Sequence, residues 1–167
     1  YDRYIRAFKA ELDAMRTIQR KYPNTKYFPK YLNCGLFDNK PCIRMEYIRG
    51  ITLEKYLQKR ASVIGSGTAP SMDLLSSTDR KRILEQLYEA LQILYDCNIL
   101  HFDINPANII ILNKNFDIKL IDFTFFYDLN KSDAENIAQK YKRNDSRLRL
   151  SDPVALRMAN ALLYFYM

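Results

Sequence analysis

The run His101-Phe102-Asp103-Ile104-Asn105-Pro106-Ala107-Asn108, with the two short segments after it, constrains the fold more than any other part of the chain. Ile109 to Leu112 and Ile118 to Ile121 are β-type runs, and the turn-formers Asn113-Lys114-Asn115 stand between them. The order is therefore a loop, a hairpin and then Asp122. A hairpin returns the end of its second strand to the start of its first, so Asp122 is predicted to lie beside Asp103 and Asn108. Two carboxylates and an amide in one small volume form an oxygen-rich cluster. Such a cluster suits Mg2+, which takes hard ligands and shares them with phosphates. Taken singly, each of these residues also reads as a turn or cap residue; it is their common register that points to a site.

The rest of the chain divides by hydrophobic period. Tyr4, Ile5, Phe8, Leu12, Met15 and Ile18 recur at three- and four-residue steps, which predicts an amphipathic helix over the first twenty or so residues, stopped by Pro23-Asn24. Tyr27 to Phe37 and Pro41 to Ile48 read as two strands of an antiparallel hairpin around Asp38-Asn39-Lys40. Thr52 is placed to cap a short helix, Leu53 to Lys59, and Ala61 to Ser77 reads as a flexible loop insertion. A second long helix carries Ile83, Leu84, Leu87, Leu91 and Leu94 on one face, with Thr78 or Asp79 near its cap. Beyond Asp122 the chain is polar through Leu150, and Asp152-Pro153 opens a third helix that is apolar on most faces.

At 167 residues the chain is one domain's worth, and 48% hydrophobic with 27% charged residues describes an ordinary globular protein. The formal charge of +7 is scattered over Lys26, Lys30, Lys55, Arg80, Lys119, Lys142 and Arg149, with no nucleic-acid module, so a solvated surface is expected and no nucleic-acid partner. No apolar run reaches the length of a membrane span, so no membrane partner is expected either. Cys34, Cys42 and Cys97 lack metal-type spacing and read as reduced thiols of a cytoplasmic or otherwise intracellular protein. The chain opens at Tyr1 and stops at Met167 inside helical patterns, which reads as a fragment.

His101-Phe102-Asp103 to Asn108 resembles the protein-kinase catalytic loop, and Ile118-Lys119-Leu120-Ile121-Asp122-Phe123 resembles the strand and metal-binding element that follow it. Met45-Glu46-Tyr47-Ile48-Arg49-Gly50 is similar to the hinge of the same family. The resemblance implies an α+β, two-lobed kinase-like fold. Residues 1–48 would be an incomplete amino-terminal lobe, and 49–167 a mainly helical, truncated carboxy-terminal lobe. It implies ATP and Mg2+ as cofactors, with Asp103 accepting the proton of the acceptor hydroxyl and Asn108 and Asp122 holding metal. Glu11 would be the glutamate of the regulatory helix, Met45 the back of the adenine pocket, Glu46, Tyr47 and Ile48 the hinge, and Ile110 the floor beneath the base. Met15 is expected to pack towards Phe123 and His101, with His101 a core histidine and not a base. Asp152 resembles the buried aspartate that braces the catalytic loop.

The departures matter as much. The glycine-rich loop and the strand lysine of the family would lie before Tyr1, so the fragment alone is expected to be inactive. Phe102 stands where many kinases have arginine, and Asn105 stands where serine/threonine kinases place a lysine against the transferring phosphate. Thr124 replaces the glycine after Phe123, and no Ala-Pro-Glu triplet appears between Asp122 and Asp152. Those features resemble the haspin branch, reduced bacterial effector kinases and atypical kinases of large DNA viruses. The implied function is an ATP- and Mg2+-dependent phosphotransferase acting on serine or threonine of a protein substrate. The alternatives are a small-molecule kinase of the aminoglycoside or choline kinase type and a pseudokinase scaffold.

Overall fold

Apolar residues at helical spacing need a surface to cover, and in α1 (Asp2–Lys21) they find one: Ala10, Leu12, Ala14, Met15 and Ile18 are all buried. The computed structural model describes residues 2–65, 67–101, 103–123 and 126–128. Phe102, Thr124, the basic stretch before Leu150, Asp152 and the helix expected from Pro153 lie outside the described residues. α1 ends two residues before Pro23, with Arg20 and Lys21 in its last turn opposite the negative end of the helix dipole.

β1 (Tyr31–Phe37) and β2 (Lys40–Met45) pair antiparallel, closing on Phe37 opposite Lys40. Asp38 and Asn39 both hold positive φ, 50° and 57°, as a two-residue turn of the primed type requires. The first strand begins four residues later than its composition suggests. Pro29 supplies no N–H, and the carbonyls of Tyr27 and Phe28 bond elsewhere: Leu120 N donates to Tyr27 O at 2.8 Å and Lys119 Nζ to Phe28 O at 2.9 Å. The second strand stops at Met45 and not at Ile48, after one further bond from Glu46 N to Lys30 O.

β3 (Ile51–Thr52) leads into α2 (Leu53–Ile64), capped by the Thr52 hydroxyl, which accepts from Lys55 N at 3.2 Å. α2 outruns the expected Lys59 because Ala61 continues the buried stripe of Leu53 and Leu57, and it closes at Gly65. The segment expected to be a free insertion is therefore partly helical. It is also partly docked, since Met72 and Leu75 join the core around a 3-10 turn at Met72–Leu74. α3 (Ser77–Asp96) is capped by Ser76 and not by Thr78 or Asp79: the Ser76 hydroxyl accepts from Asp79 N and donates to its carboxylate at 2.6 Å.

β4 (Ile99–His101) follows α3 and pairs antiparallel with β7 (Phe126–Asp128). β5 (Ile109–Ile111) and β6 (Ile118–Leu120) form the expected hairpin, and β3 adds to β5 to give a three-stranded antiparallel sheet. Strand alternation sorts its faces. Ile109, Ile111, Ile118 and Leu120 are buried, while Ile110 and Lys119, directly opposite each other, share the other face. The hairpin tip is pinned by one buried side chain: Gln86 of α3 donates to Phe116 O at 2.7 Å and accepts from Ile118 N at 3.1 Å. The assembly is α+β, and among the described residues no helix is long and apolar enough to cross a membrane.

Two substitutions test this packing. A Cβ at Gly50 would lie 2.4 Å from Ile111 O and 2.5 Å from Ile110 Cγ2, so Gly50→Ala is expected to lower stability by about 1–3 kcal/mol. Gln86→Leu strands a buried carbonyl and an N–H and is expected to cost about 2–3 kcal/mol. Urea unfolding should show both as earlier midpoints at unchanged slope.

Candidate functional site

The loop between β4 and β5 is fixed by its own side chains. Asn105 caps the 3-10 turn Pro106–Asn108, its Oδ1 accepting from Ala107 N at 2.9 Å and its Nδ2 donating to Asp103 O at 3.2 Å. Asn108, 8% exposed, directs its amide nitrogen at Asp103, donating to the main-chain oxygen at 2.8 Å and to Oδ2 at 3.2 Å. That choice orients Oδ1 away from Asp103 as the remaining hard donor. Ile121 N donates to Asn108 O at 2.9 Å, extending the β5–β6 ladder by one residue and delivering Asp122 beside the loop.

Asp122 adopts φ of 69°, in the left-handed region that aspartate enters more readily than most residues. The bend turns Phe123 inward, where it is 1% exposed. Its ring lies 5.8 Å from that of Phe28 and 5.3 Å from that of His101, and it shares a narrow crevice with Met15 and Ile18. The expected packing of Met15 and His101 on Phe123 is thus present. His101 accepts from Asp103 N at Nδ1, 3.1 Å away, so Nε2 carries the proton and faces Ile121 O at 3.2 Å. Burial pushes its pKa below the usual 6.5, against the pull of the Ile121 carbonyl and the charges of Asp122 and Asp103. It is a neutral brace between two loops.

Glu11, half-buried on α1, accepts the N–H of Phe123. Its pKa is raised first by burial and then by the negative charge of Asp122, while the Phe123 N–H works the other way. Two carboxylates from distant parts of the chain therefore feel each other's charge. Among the described residues no three His, Cys, Asp or Glu side chains gather as a metal cage. Asn108 Oδ1 and the Asp122 carboxylate are the hard oxygen donors that could hold Mg2+, an ion that completes its shell with water and phosphate oxygens.

The hinge candidates lie at the end of β2. Met45 packs against the core opposite Tyr31, Tyr47 is 87% exposed, and Ile48 is half-buried. Glu46 holds its carboxylate 2.5 Å from Lys119 Nζ. Ile110 lies beneath this segment, its Cγ2 against Gly50. Lys119 appears in the sequence only as one of the scattered basic residues. Its signal was available in the alternation of Ile118-Lys119-Leu120, which sets it on the face opposite the core.

The lowered His101 pKa gives a pH prediction. A histidine whose folded pKa is depressed stabilises the fold above its unfolded pKa of 6.5, and that stability is lost as pH falls through the folded value. The thermal midpoint should therefore drop as pH falls below 6.5, and His101→Phe should flatten that part of the profile. An unchanged slope in the variant would contradict the assignment.

Comparison with known proteins agrees with this geometry. Residues 6–144 match the model of the protein kinase domain. The dual specificity protein kinase zak2 of Dictyostelium discoideum is 34% identical over 113 residues, covering 67% of this chain and 15% of that protein. Serine/threonine-protein kinase 10 of Danio rerio is 33% identical over 103 residues, 60% of this chain and 9% of its own length. Serine/threonine-protein kinase ATG1c of Arabidopsis thaliana is 35% identical over 83 residues, or 48% and 10%. The chain thus spans 15% or less of the length of these curated relatives. With a family match over most of its length, and with its loop, hairpin and acidic element in the matched order, the chain belongs to the protein kinase domain family.

Proposed function

We propose that this chain carries the hinge, catalytic loop and metal-binding element of an ATP- and Mg2+-dependent protein kinase directed at serine or threonine. The observation that supports this most is the bonded unit of Asp103 and Asn108, with Asp122 delivered beside it by the Ile121–Asn108 hydrogen bond. In this reading Asp103 orients the acceptor hydroxyl and receives its proton. Asn108 Oδ1 and the Asp122 carboxylate hold Mg2+, which when bound neutralises charge on the nucleotide phosphates. Met45 and the Glu46–Ile48 segment receive the adenine, and Ile110 closes the pocket from below. Glu11 anchors the Phe123 N–H and so holds α1 against the metal-binding element.

The names of the relatives, serine/threonine or dual specificity kinases, support serine or threonine as the acceptor. Asn105 tempers the expected rate. The sequence reading places it against the transferring phosphate, yet its amide is neutral and engaged with Asp103 O and Ala107 N, so it brings no positive charge to the transition state. We place the protein inside the cell, where ATP is available and where Cys34, Cys42 and Cys97 would stay as the free thiols they are here.

The experiment is phosphate transfer from labelled ATP by the intact protein that contains this chain, to basic proteins and, separately, to aminoglycosides and amino alcohols. We expect labelling of serine or threonine in protein. Asp122→Ala should abolish Mg2+-dependent ATP binding, whereas Asp103→Ala should keep ATP binding and lose at least about 10²-fold in turnover. Full turnover in Asp103→Ala, or labelling of small alcohols alone, would overturn the proposal.

A further inference from the structure

Lys119 stands on the face of β6 away from the core, and its charge is already committed. Its ammonium lies 2.5 Å from the Glu46 carboxylate and 2.9 Å from Phe28 O, and the two side chains of the ion pair are only 13% and 27% exposed. The adjacent Leu120 N donates to Tyr27 O at 2.8 Å. Two successive residues of β6 are thus bonded to the segment between α1 and β1, and one of them reaches on to the hinge. Asp122 follows three residues after Lys119, just past the end of β6.

Glu46 N is held by Lys30 O, but Tyr47 is 87% exposed and Arg49 and Gly50 are exposed as well. Without Lys119, the Glu46 carboxylate would be a half-buried charge with its cation removed. It would have to leave for solvent and take the hinge backbone with it. The paired arrangement instead fixes the Glu46 main chain relative to Ile110, which faces Lys119 across the β5–β6 ladder.

We propose that Lys119 is a positioning residue for the adenine end of the pocket. Through Glu46 it sets the height of the hinge above Ile110, and through β6 it couples that height to the strand that delivers Asp122. Its ammonium is engaged by Glu46 and Phe28 O, so the role assigned is positional. This inference rests on the nucleotide-binding reading given above, and the two fail differently.

The test uses the intact protein and measures adenosine binding without metal alongside ATP turnover with Mg2+. Lys119→Met is expected to weaken adenosine about tenfold and to raise the KM for ATP by a similar factor, with kcat changed less than about twofold. Lys119→Arg, which keeps the charge and several donors, should restore most of the affinity. Glu46→Gln combined with Lys119→Met should bind adenosine better than Lys119→Met alone, because no buried charge is then left unpaired. Unchanged adenosine affinity in Lys119→Met, a loss confined to kcat, or a double variant no better than the single one would overturn the inference while leaving the kinase reading intact. Absence of adenosine and ATP binding in the unsubstituted protein would remove both.

Discussion

One main-chain hydrogen bond, from Ile121 N to Asn108 O, closes the site. It is the last rung of a ladder whose previous rungs, Ile111 with Ile118 and Ile109 with Leu120, are set by burial of alternate residues. Slipping that register by one residue would turn the buried isoleucines to the pocket and Lys119 to the core, so hydrophobic burial itself fixes where Asp122 emerges. The Asp103–Asn108 bonds then set the opposite wall. Site geometry here is a consequence of core packing, carried outward by a three-residue hairpin arm.

Charge completes what packing begins. Glu11 and Asp122 bring like charges near each other beside the Phe123 N–H. On the face of the hairpin away from the core, Lys119 and Glu46 are opposite charges that satisfy each other. His101 stands between the two loops as a neutral ring, wedged against Phe123 and hydrogen-bonded at both nitrogens.

Much of this was legible in the sequence where local pattern and tertiary role coincide. The 3.6-residue stripe of α1, the primed turn at Asp38-Asn39, the Thr52 cap and the β5–β6 hairpin all follow from residues close in the chain. The misplacements share a physical cause, a long-range partner. Tyr27 and Phe28 have strand composition but give their carbonyls to β6. Ala61, Met72 and Leu75 look like parts of a loop until the core receives them. Of the candidate site, the approach of Asp122 to the Asp103–Asn108 loop could be expected from the loop-hairpin order. The engagement of Asn105 with its own loop and the Lys119–Glu46 pair could not, because each depends on where a side chain ends.

The central claim is spatial: a divalent cation shared by Asn108 and Asp122 on a nucleotide's phosphates. Anomalous scattering from Mn2+ in crystals of the intact protein with an adenine nucleotide tests it most directly. The account predicts a peak within coordination distance of Asn108 Oδ1 and the Asp122 carboxylate, bridging to phosphate. Bound nucleotide with no such peak, or with the ion held by other side chains, would contradict it.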